Sequence, residues 1–108
     1  MLYKFKSRAA ADLIMLEPNG RRVLQIIGKP VDEKQGILQP QDMAAALVAL
    51  EAAIQQEEAR LKSAREEAVA RGEEPPKAEE VSLRQRATPF IEMLRRCQKA
   101  DTEIVWGV

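Results

Sequence analysis

With 108 residues, a single cysteine and 17 basic side chains balanced by 17 acidic ones, the chain can bury one core. It has no disulfide framework and no overall field that would draw it to nucleic acid or an anionic membrane. The absence of histidine removes a Cys–His nucleophile pair and leaves a zinc site short of its usual ligands. A single domain over 1–108 is expected, in a reducing cytoplasm, because the lone cysteine fits such a compartment and "MLYKFKSRAA" has no apolar signal-like core.

In chain order, Leu2 to Lys6 predicts a strand, with Tyr3 and Phe5 on one side and Leu2, Lys4 and Lys6 on the other. Ser7 is placed to cap a helix over Ala9 to Leu16, and "EPNG" at Glu17 to Gly20 to bend it before "RRVLQIIG" resumes. Gly28 and Pro30 mark a helix stop. "GILQPQDMAAALVALEAAI" then opens the longest helix, with Met43, Leu47, Leu50 and Ile54 on its core face.

Continued, that spacing reaches Glu57, Leu61, Ala64 and Ala68, so the apolar seam fades into a solvated extension. Glu58 with Lys62 and Glu67 with Arg71 are spaced for ion pairs along that extension. "RGEEPPKAEE" cannot continue the helix, and a charged, partly mobile segment is expected at about 62–81. Ser82 with Gln85 forms a capping-box pattern ahead of a third helix carrying Leu83, Ala87, Phe90, Ile91, Leu94 and Cys97, with a kink at Pro89. Ile104, Trp106 and Val108 alternate with Glu103 and Val105 in a closing strand whose one available partner is Leu2 to Lys6. The predicted fold is α+β in the order β-α-α-α-β, with the N- and C-terminal strands paired and the helices packed on one face.

The segments "MLYKFKSRAAADLIML", "GIL" at Gly36 to Leu38, "SLRQRATPFIEML" and "VWGV" together resemble a family of small bacterial proteins, Domain of Unknown Function 1840. They span most of the chain outside its charged middle. The resemblance implies a bacterial, cytosolic, stand-alone domain, and brings no activity, cofactor or catalytic residue to carry over.

Cys97 lies on an apolar helical stripe, where a small buried hydrophobe is the expected role. The paired acids, Glu57 and Glu58 among them, have the pattern of solvated segments. Glu92 stands among apolar residues and is the one carboxylate on which an enzyme of carboxylates and arginines would rest. Arg84, Arg86, Arg95, Arg96 and Lys99 form a basic cluster suited to phosphate groups or nucleic acid, though without aromatic residues for stacking. Neither a metal site nor a cofactor fingerprint is present. The favoured reading is a non-enzymatic module that self-associates, as a homodimer, through an unpaired strand edge at Glu103, Ile104, Val105 and Trp106.

Overall fold

The computed structural model describes residues 2–75 and 82–107 of the chain. Alternation in the two terminal segments survives as strand geometry: β1 (Leu2–Lys6) and β4 (Ile104–Trp106) pair antiparallel, Phe5 opposite Trp106 and Lys6 opposite Val105. The sheet is wider than the expected pair. β2 (Leu13–Leu16) folds back on β1, and β3 (Gly36–Leu38) pairs with the other side of β4, giving an antiparallel sheet in the order β2-β1-β4-β3.

Both added strands replace expected helix. Leu13–Leu16 is four apolar residues long, short enough to fit either a helical or a pleated period, and the hairpin with β1 settles it as a strand. Ser7 caps no helix here. Its hydroxyl accepts the Ala9 N–H at 3.2 Å, which tightens the connection between β1 and β2.

"EPNG" is the start of a helix rather than a break: α1 (Glu17–Ile26) carries Pro18 in its first turn, where a missing N–H costs no hydrogen bond. Gly20 serves close approach, since a Cβ there would stand 2.5 Å from the Tyr3 ring. At β3, likewise, a Cβ on Gly36 would overlap the Trp106 indole, so the glycine lets the tryptophan lie across the strand.

The long helix α2 (Met43–Ala70) follows a 3₁₀ turn at Pro40–Asp42 and ends in a Schellman motif, with Gly72 at φ 73° and the Glu73 N–H bonded to the Ala68 carbonyl at 2.8 Å. Of its expected core face, Met43, Leu50 and Ile54 are buried and Leu47 is half-buried. Within the charged segment expected at 62–81, residues up to Ala70 are the end of α2, and 76–81 lie outside the described residues, as does Val108.

The third helix, α3 (Leu83–Ala100), starts with the capping box: the Gln85 N–H donates to Ser82 Oγ at 3.1 Å and the Ser82 N–H to Gln85 Oε1 at 3.0 Å. It runs continuously through Pro89, and all six of its expected core residues are buried, together with Met93.

Side-chain parity gives the sheet two unlike faces. Phe5, Met15, Leu38, Ile104 and Trp106 point to one side and join Val23 and Leu24 of α1, Met43, Leu50 and Ile54 of α2, and Phe90, Leu94 and Cys97 of α3 in a single core. Phe5 sits at its centre, edge-on to Phe90 at 4.9 Å and tilted against Trp106 at 5.8 Å. The Trp106 indole N–H has no hydrogen-bond partner among the described residues.

Candidate functional site

The other face of the sheet carries the alternate residues. Register places Leu2 opposite Leu16 and Lys4 opposite Ile14, and puts Val105 between Lys6 on β1 and Ile37 on β3. Leu2, Ile14 and Leu16 are 58%, 55% and 63% exposed, and Ile37 is 41% exposed. Large apolar side chains scattered singly on a surface are ordinary, whereas several brought together by strand register form a patch of the kind found at contact sites. Its charged members are Lys4, which pairs with Asp12 at 3.7 Å, and Lys6.

Of the two outer strands, β3 is three residues long and includes a glycine. β2 is Leu-Ile-Met-Leu, with no charge, proline or glycine along an edge that pairs with no other strand among the described residues. The association edge expected at Glu103 to Trp106 is corrected by this topology. β4 is an interior strand between β1 and β3, Ile104 and Trp106 are buried, Val105 is half-buried, and Glu103 is a half-buried residue preceding the strand. The expectation placed the edge on β4 because the segments that became β2 and β3 read as helix.

The basic residues of α3 do not form one free cationic face. Arg84 grips Glu58 of α2 with two hydrogen bonds, Nε to Oε1 at 2.6 Å and Nη2 to Oε2 at 3.3 Å. That hydrogen bond holds the Glu58 carboxyl below its ordinary value and raises the Arg84 guanidinium above its own. Glu58 thus pairs across helices rather than with Lys62, which sits 4.0 Å from Glu66. Arg95 approaches Glu51 of α2 at 3.9 Å. Arg86, about 200° round the helix from Arg84, is half-buried, while Arg96 and Lys99 are exposed. Glu92 is also exposed, which leaves the carboxylate-based enzyme reading without a cleft around its candidate.

Cys97 is fully buried, its thiol donating to Ser7 Oγ at 3.1 Å. Among the described residues no three His, Cys, Asp or Glu side chains converge in a way that would hold a metal ion. No helix there is long and apolar enough to cross a membrane.

Glu57 is the residue that sequence reasoning misplaced. Only 6% exposed, it accepts the Leu83 N–H at 2.9 Å through Oε2, and Oε1 lies 3.6 Å from Arg22 Nη2. One carboxylate of α2 thereby satisfies an amide in the first turn of α3 and meets a guanidinium of α1. The signal was its place on the apolar seam, three residues beyond Ile54. A groove of about 290 Å³ beside it is lined by Arg22, Ile26, Ala53, Gln56, Glu57 and Arg60. Both polar ends of Glu57 face protein partners, so its geometry is that of a strut between helices.

Neither the curated proteins nor the solved structures contain a match to this chain. The profile of the family described as Domain of unknown function (DUF1840) matches residues 1–106, which takes in every strand and helix described, and the chain belongs to that family.

Proposed function

We propose that the protein is a non-enzymatic interaction module that self-associates through the open side of its sheet. The observation that carries this reading is the apolar group Leu2, Ile14 and Leu16 beside an uncharged outer strand, on the face of the sheet away from the core. Its ionisable side chains support the same reading: Glu57, Glu58, Arg84 and Arg95 are engaged in joining helices, and Glu92 faces solvent. The single buried cysteine suits a reducing bacterial cytoplasm.

Light scattering of the purified protein and of an Ile14→Lys, Leu16→Lys double variant tests this directly. The natural chain is expected to show a dimer mass at tens of micromolar and the variant a monomer mass, with the same helical circular dichroism. A monomer for both proteins would contradict self-association, and a dimer for both would move it to another surface.

A further inference from the structure

We infer that the partner of β2 is the β2 strand of a second copy, paired antiparallel about a two-fold axis at Met15, so that two four-stranded sheets join into one of eight strands. This geometry rests on the self-association proposed above and adds its register. An antiparallel edge is its own complement under two-fold rotation, because every second residue points its N–H and C=O outward and these meet the C=O and N–H of the opposed residue in the copy. Directly opposed residues must also point to the same face, so the axis falls on a residue of the strand and not between two.

Two placements keep the apolar strand paired with itself. With the axis on Ile14, Leu16 would oppose the partner's Asp12, setting an apolar side chain against a carboxylate that already pairs with Lys4. With the axis on Met15, Ile14 opposes the partner's Leu16 and Leu16 the partner's Ile14, and the ladder stops there, since Leu13 would next meet the partner's Glu17, the first residue of α1 and outside the strand. Since Lys4 neighbours Ile14 and Leu2 neighbours Leu16 within each copy, the outer row then runs Lys4, Ile14, the partner's Leu16, the partner's Leu2. In this row and its two-fold mate three apolar side chains are contiguous, with Lys4 of one copy at a single end of each row.

Stacking the two open faces instead would enclose Lys4 and Lys6 of both copies in one contact, a like-charge burial that edge pairing avoids. β3 offers a poorer edge, with three residues, one of them a glycine held against Trp106. The contact is small beside the roughly 800 Å² per partner of stable complexes, so the dimer is expected to be weak and to exchange subunits readily.

Cysteine cross-linking reads the register. Ile14→Cys and Leu16→Cys chains are prepared separately and oxidised alone and mixed, with the buried Cys97 left in place. Opposed antiparallel residues have Cα atoms about 4.5–5.5 Å apart, within disulfide reach, whereas diagonal neighbours do not. The expected result is several-fold more covalent dimer in the mixture than in either protein alone. Efficient linking of Ile14→Cys alone would overturn the Met15 axis in favour of Ile14. No linking in any sample, with the natural chain dimeric by mass, would overturn β2 pairing while leaving self-association intact. A monomeric natural chain would overturn both.

Discussion

The two faces of the sheet are built from neighbouring residues of the same strands, yet they meet different surroundings. Phe5, Met15 and Trp106 face three helices and are buried; Leu2, Ile14 and Leu16 face away from them and stay more than half exposed. Hydrophobicity alone does not separate the two faces, since leucine and isoleucine occur on both: Leu38 and Ile104 inside, Leu2, Ile14 and Leu16 outside. What separates them is parity along strands of period two, combined with helices available to cover a single side. The difference teaches that an apolar residue in this fold reports core or contact surface only once the register is known.

The largest expected effect comes from treating both faces alike. Phe5→Ala should cost about 3–5 kcal/mol in chemical denaturation, because it empties the centre of the aromatic cluster. Ile14→Thr on the open face should change stability by about 0.5 kcal/mol or less while weakening association. Equal losses would mean that the open face is packed in the isolated chain, and the contrast between the faces would fail.

Next in size is the strut. Glu57→Ala should destabilise by about 1–3 kcal/mol by leaving the Leu83 amide without its acceptor, and Glu57→Gln, which keeps an acceptor oxygen, should recover part of that loss. If alanine and glutamine variants unfold at the natural midpoint, the carboxylate does not hold the helices.

The smallest effect concerns the exposed Glu58–Arg84 pair. Glu58 has its folded-state value lowered, so its stabilising contribution is full above the ordinary carboxylate range and is lost as the pH falls through that lowered value. Solvent screening keeps the contribution small. Thermal melts across the acid range should therefore show a slightly shallower loss of stability for Glu58→Gln than for the natural chain, and coincident slopes would contradict a perturbed carboxyl in the folded state.

The parts of this architecture legible in the sequence are those whose signal is local. The alternation of Tyr3 and Phe5 and of Ile104 and Trp106 with their neighbours marks two strands, and Ser82 with Gln85 marks the N-cap of α3. The segments Leu13–Leu16 and Gly36–Leu38 were not legible as strands because each is too short to display a period. Their conformation is decided by partners elsewhere, β1 in one case and β4, some 65 residues further on, in the other.

The candidate surface was missed for the same reason. With β2 and β3 read as helix, β4 looked like an edge, and the self-association expected of an unpaired strand was assigned to residues that are in fact the middle of the sheet. The basic cluster on α3 was visible as charge, but its neutralising acids lie on α2, 26 residues before Arg84 and 44 before Arg95, and only helix packing brings them together. Glu57 and Glu58 are adjacent and chemically identical, and the turn of the helix between them sends one into the interior and leaves the other at the surface.

The most direct test of the central claim, that β2 is where one copy meets another, is amide hydrogen exchange over Leu13–Leu16 measured in dilute and in concentrated protein. Association through this strand predicts that its outward amides exchange more slowly as concentration rises, while those of β3 keep a constant rate. Exchange in β2 that does not change with concentration, in protein whose mass shows a dimer, would contradict it.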